Sequence, residues 1–252
     1  MNELAALAAG FLTADTLMLA LAAMAAGFVR GFSGFGAAMI FVPLASVIVD
    51  PPTAVIALWI MDNLVTLPLV VQGFRHCAWA EIRPLFLGAV FGAPAGVWLL
   101  ANAPEDPLRW TIAILVLVAV AGLASGYRRR KPLHRAGVVA VGAAAGIGGG
   151  LAGLTGPPVI VFWVGSETAP AQVRMNTFAF FGLTGVLAGI AHLVAGLFTP
   201  ERIMLAALIA PAYAVAIYSG SALFGFASER LFRAFALTLC TVAAIFVLPL
   251  WR

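Results

Sequence analysis

The sequence predicts an all-α, polytopic membrane bundle of about eight transmembrane segments built as two inverted repeats. Three observations carry that prediction. Hydrophobic residues make up 63% of the chain and charged residues only 10%, whereas soluble domains carry about 25% charged residues. Six apolar runs approach or reach the roughly 20 residues needed to cross a hydrocarbon core about 30 Å thick. Two further apolar stretches, one in each half, are interrupted by glycine in the same way.

The six simple runs are Thr53–Gly73, Pro84–Ala101, Leu108–Gly126, Met175–Leu197, Ile203–Phe226 and Leu231–Leu250. The two odd stretches, Thr16–Val49 and Ala136–Gly165, are too long for one span and short for two. The longest polar connection, about Tyr127–Arg135, leaves no room for a soluble domain. One membrane domain is therefore expected over residues 1–252, with a first repeat at about 11–126 and a second at about 136–252. Glu3 and Asp15 precede or open the first apolar run without any lysine or arginine, unlike the basic start of a signal peptide, so that run reads as structure.

Laid over each other, the odd stretches match: Gly27 with Gly142, Gly31 with Gly146, Ser33 and Gly34 with Gly148 and Gly149, and Pro43 with Pro158. Three simple runs follow each copy. Internal duplication is a hallmark of secondary transporters. The basic cluster Arg128–Lys131 with Arg135 assigns the central loop to the cytoplasm. Each odd stretch can cross once or enter and return as two broken half-spans. The second arrangement divides the positive charges slightly more unevenly and makes the halves inverted copies.

Irregular backbone at membrane depth persists only where it is packed in protein or lines a polar cavity. Glycine tolerates positive φ, and proline removes a backbone donor, so Pro43, Pro157 and Pro158 are expected to interrupt helices. A helix that starts inside the membrane presents free N–H groups and partial positive charge, which suits a small anion. Ser33 and Thr155 would add hydroxyl donors and Arg30 a full charge. An intramembrane charge is costly and marks a pathway or a buried pair; the plain alternative for Arg30 is snorkelling to an interface. Asp62, followed by Asn63, is a second intramembrane charge that could pair with Arg30 or carry a coupled proton, because desolvation favours the protonated carboxyl. It becomes a simple cap if its span begins later. Asn176 and Thr177 are candidate counterparts in the second half, though out of register. The glycines also follow small-xxx-small spacing, which explains them by helix packing alone, as at Gly88, Gly92 and Gly96.

Gly31-Phe32-Ser33-Gly34 also matches the GxSG nucleophile motif of rhomboid-type intramembrane proteases, with His192 as the available base. Against this, the second copy carries Gly148 where the serine would stand, and Ser33 lies in the first segment. A lone histidine such as His192 is more often a hydrogen-bonding interfacial residue. Cys77 and Cys240 stand far apart with no metal or redox spacing, and no cofactor or metal is expected. The net charge of +4 reports orientation at membrane edges and no nucleic-acid partner; a homo-oligomer is compatible with the sequence.

The paired motifs "GFSGFGAAMIFVPL" and "GGGLAGLTGPPVIVFW", one per half with a short basic central loop, resemble the TSUP family, also called the TauE/SafE sulfite exporter family. The resemblance covers essentially the whole chain. It implies that Gly31, Gly34, Gly36, Pro43, Gly148, Gly149, Gly150, Gly153, Pro157 and Pro158 line a substrate path. It also implies movement of small anions such as sulfite, sulfonates and related organosulfur compounds across the bacterial inner membrane. Phe32, Ser33 and Phe35 stand where many members run almost unbroken glycine, and Arg30 precedes them, which leaves the choice of anion open. An anion channel would use the same elements without a closed intermediate.

Overall fold

The computed structural model describes residues 13–125, 133–164, 168–223 and 229–248. Among them are ten helices and no strand: α1 (Ala14–Ser33), α2 (Ala37–Ile48), α3 (Pro51–His76), α4 (Trp79–Asn102), α5 (Glu105–Ala124), α6 (Arg135–Ala152), α7 (Gly156–Val164), α8 (Pro170–Val194), α9 (Pro200–Leu223) and α10 (Glu229–Phe246). Seven of them, α1, α3, α4, α5, α6, α8 and α9, are long and apolar enough to cross a membrane. The basic cluster Arg128–Lys131 lies outside the described residues.

Each odd stretch is a long helix, a short tip and a shorter helix. The first tip, Gly34–Gly36, follows α1, and the second, Gly153–Thr155, follows α6. Gly34 ends α1 at φ 78°, donating its N–H to the Arg30 carbonyl at 2.8 Å. Gly153 ends α6 at φ 69° with its N–H on the Gly149 carbonyl at 2.9 Å. Left-handed backbone costs an L-residue about 1–2 kcal/mol, so glycine sets where each helix stops. Proline plays a smaller part than its sequence position implied. Pro43 lies inside α2 and is buried, so it breaks nothing, while Pro157 and Pro158 open α7, where missing N–H groups cost little.

The directions of the helices follow from their glycine contacts. Gly27 faces Tyr213 and Gly31 faces Ile217, so α1 and α9 run parallel. Gly142 faces Leu85, Gly146 faces Ala89 and Gly150 faces Ala93 and Val97, so α4 and α6 also run parallel. In contrast α3 and α8 are antiparallel, with Gly189 on Trp59, Gly185 on Asn63 and Gly73 on Phe178.

These pairings make both odd stretches re-entrant. α1 and α9 start on one face. Just after α2, Asp50 caps α3 and binds Arg202 at the start of α9, so α2 has returned to the face that α1 left. α6 starts on the opposite face beside α4, and Thr168, just after α7, bonds Glu81 at the start of α4. The two hairpins therefore enter from opposite faces, and their tips touch: a Cβ on Gly156 would stand 3.6 Å from that of Phe35, and one on Gly153 3.2 Å from that of Ala38. The five-helix order long, short, long, long, long occurs twice, with the long helix of each hairpin packed on the fourth helix of the other half.

The register of the duplication differs from the sequence match. The equivalent tip glycines are Gly34 and Gly153, one helical turn beyond the Gly34–Gly149 pairing. Glycines spaced by four residues fit almost as well one turn out of place, because that spacing repeats with the helix itself. On the same basis Asn176 and Thr177 are not counterparts of Asp62 and Asn63. Counting from the helix starts at Pro51 and Pro170, that place belongs to Phe181 and Gly182.

Candidate functional site

Arg30 lies in the last turn of α1 and is 8% exposed. Its Nε and Nη2 donate to the two carboxylate oxygens of Asp62, each at 2.9 Å, and Nη1 donates to the Gly34 carbonyl at 2.7 Å. This fork-to-fork geometry is the strong form of the arginine–carboxylate contact. Tyr213, fully buried in α9, donates its hydroxyl to Asp62 Oδ1 at 2.7 Å. The Phe181 ring lies 5.2 Å from the guanidinium carbon, within cation–π range. Elements from α1, α3, α8 and α9 thus converge on one neutral ion pair deep in the bundle.

The pair stands between two cavities. A central one of about 90 Å³ is lined by Arg30, Asp62 and Asn63, by Gly36–Met39 at the start of α2, by Gly149 and Gly153–Pro157 at the other tip, and by Trp59, Thr184 and His192. Both half-helix starts reach it, but unequally. α2 offers consecutive amides, whereas Pro157 and Pro158 leave α7 with Gly156 as the only donor among its first three residues. A second cavity of about 400 Å³ is lined by Arg30, by Gly31–Phe35 at the end of α1 and the start of its tip, and by Thr66, Arg174, Thr177, Phe178 and Ser221. Arg30, Phe35 and Thr66 border both cavities.

The predicted residues divide accordingly. Gly36, Asp62, Asn63, Gly149, Gly153, Thr155 and Pro157 reach the central cavity; Gly31, Ser33, Gly34 and Thr177 reach the second, and Arg30 reaches both. Pro43, Gly148, Gly150, Pro158 and Asn176 line neither. Gly150 packs on the Ala93 backbone and Gly148 on Leu154, the plain packing role. Asn176 is drawn to the start of α4, donating to Glu81 at 3.0 Å and accepting from the Ala78 N–H at 2.7 Å.

The serine–histidine pair of the protease reading is not formed. The Ser33 hydroxyl donates to the Val29 and Phe35 carbonyls, a local cap of the break. His192 lines the other cavity, where its Nε2 donates to the Gly150 carbonyl at 3.3 Å, while Trp59 and Phe198 meet its ring edge-on. Sequence reasoning missed Tyr213, Phe181, Trp59, Phe35 and Arg174. Tyr213 carried a signal, since a tyrosine in an apolar run needs a partner for its hydroxyl when buried.

A bundle with opposed re-entrant hairpins, whose tips border polar cavities beside a buried ion pair, is a polytopic membrane protein of transporter architecture. The sequence model of the family described as Sulfite exporter TauE/SafE matches residues 19–247, and the chain belongs to that family. It is accordingly a membrane transporter. In the same comparisons no curated protein and no solved structure matched.

Proposed function

We propose that the protein is a secondary transporter that moves a small anion, sulfite, a sulfonate or a related organosulfur compound, across the bacterial inner membrane by alternating access. The single observation that carries this reading is the Arg30–Asp62 pair at the partition between the two cavities. Three of the five Arg30 N–H donors are taken, by Asp62 and the Gly34 carbonyl, and the carboxylate already balances the guanidinium charge, so an anion pairs with Arg30 only by displacing the carboxylate. An anion added to the neutral pair would leave a net negative charge out of water, which is strongly unfavourable. A proton on Asp62 removes that penalty: the carboxyl lets go of Arg30, and the anion takes its place. One proton then accompanies each anion.

The central cavity has room for only a few heavy atoms and is met by the amides of α2, the Gly156 amide and the Thr155 hydroxyl. That donor set suits a compact oxyanion. The re-entrant hairpins enter from opposite faces, so rocking one half against the other exposes the tips alternately. Of the described basic residues, Arg75, Arg83, Arg135 and Arg174 fall at helix ends on the α6 face, which also carries the central loop; the positive-inside rule makes that face cytoplasmic.

The test is counterflow in proteoliposomes. Radiolabelled sulfite outside should enter faster when the lumen is loaded with unlabelled sulfite, and uptake should rise as pH falls. A flux without trans-stimulation would identify a channel. No flux with any member of a panel of sulfur oxyanions, sulfonates and carboxylates would overturn the reading.

A further inference from the structure

The larger cavity contains a feature that the ion pair does not use. Among the described residues its lining includes two arginines, Arg30 and Arg174, and the hydroxyls of Ser33, Thr66, Thr177 and Ser221, but no aspartate or glutamate. Arg174 forms no ion pair with any described residue. Its guanidinium carbon instead lies 5.5 Å from the centre of the Phe178 ring, one turn further along α8, which holds the side chain at the cavity wall while leaving its donors available.

The two arginines occupy different depths. Met175 and Phe178 pack on Gly73 near the end of α3, so Arg174 belongs to the outer level of the α6 face. Asp62, which grips Arg30, lies three helical turns earlier along α3, about 16 Å deeper. Among the described residues, an anion entering from this face meets a cation without an ion-pair partner first and a paired one last. Walls of one sign in a cleft focus the field, raise the local concentration of counter-ions and speed their capture by about 10-fold or more.

We infer that Arg174 is the capture residue of an anion-loading vestibule on the face carrying the basic loop, and that this face is where the substrate anion is taken up. The inference rests on the proposed anion transport and adds its loading side. Among the described residues the opposite side offers no equivalent: its cations Arg109 and Arg202 are committed to Glu105, Asp106 and Asp50, and the central cavity beyond the partition includes Asp62. The cation that escorts the anion onward is Arg30, once Asp62 is protonated.

Sulfite transport by the full chain, assayed separately from each face in inside-out and right-side-out vesicles, tests this. Arg174→Gln should raise KM from the cytoplasmic face about tenfold with maximal rate within about twofold, and leave KM from the other face unchanged. Arg174→Lys should restore most of the affinity, because a point charge suffices for capture. The wild-type KM on that face should rise with ionic strength, and that of Arg174→Gln should not. Ser221→Glu, which brings a negative charge to the same cavity, should raise KM on that face independently of any folding defect in the arginine variant. Unchanged KM in both variants, or an equal rise on both faces, would overturn the loading role while leaving the transport reading intact. Absence of flux in the wild type would overturn both.

Discussion

Arg30 and Asp62, on different helices, are joined by two 2.9 Å hydrogen bonds, and the carboxylate also accepts from Tyr213 at 2.7 Å. A charge that the sequence placed singly in each of two apolar runs is thus neutralised within the bundle. Removing one member of such a pair costs about 3–5 kcal/mol, because the other is left uncompensated.

Asp62→Asn should therefore destabilise the detergent-purified protein and free Arg30 at the same time. The expected result is a lower melting temperature, with sulfite restoring more of it than in the wild type, since a ligand that binds only the folded state stabilises by mass action. Transport by this variant should lose its dependence on pH. Retained acid stimulation in proteoliposomes would remove Asp62 from proton coupling.

Arg30→Gln should abolish anion transport, and Arg30→Lys should restore little of it. Lysine keeps the charge but cannot make the parallel contacts with Asp62 while reaching the Gly34 carbonyl. Parental flux in either variant, measured alongside monodisperse elution, would make the arginine structural.

Tyr213→Phe removes one donor from a partly buried carboxylate and little volume. The cost should be about 1–3 kcal/mol of stability, the range for losing a hydrogen bond to a charged group, read as a shift in thermal melting. A variant as stable as the parent would mean that Arg30 alone satisfies Asp62.

The contact between hairpin tips can be checked covalently. The Cβ separation of 3.6 Å between Phe35 and the position built on Gly156 falls in the range spanned by disulfides. Phe35→Cys with Gly156→Cys, in a background lacking Cys77 and Cys240, should cross-link on mild oxidation, and reduction should restore any flux lost. Cleavage in the central loop followed by gel electrophoresis reads the bond directly. Halves that separate without reductant would refute opposed tips.

Gly34→Ala isolates the backbone term. Nothing lies within 4 Å of the added Cβ, yet φ is 78°, so a loss of about 1–2 kcal/mol is expected from conformation alone. Gly31→Ala should be worse, because its Cβ would run into the Ile217 carbonyl of α9 and separate two helices. Similar melting temperatures for these variants would contradict the parallel packing of α1 on α9.

The sequence alone determined the membrane class, the all-helical fold, the two broken stretches and the two charges worth following, Arg30 and Asp62. Each follows from composition and local chemistry: apolar length is set by bilayer thickness, and buried charges and interrupted helices are expensive enough to stand out. Only the tertiary structure decided the rest. Whether a broken stretch crosses or returns depends on what its second helix packs against, and the charge distribution distinguished those arrangements only slightly; Asp50 with Arg202 and Thr168 with Glu81 decide that both return. The repeat register was hidden because glycines one turn apart are interchangeable in a helical pattern, whereas the structure shows that Gly34 and Gly153 are the ones that end the long hairpin helices with positive φ. Tyr213, Phe181 and Arg174 joined the site, and Asn176 and Gly150 left it, because partners far apart in the chain are chosen by packing in three dimensions.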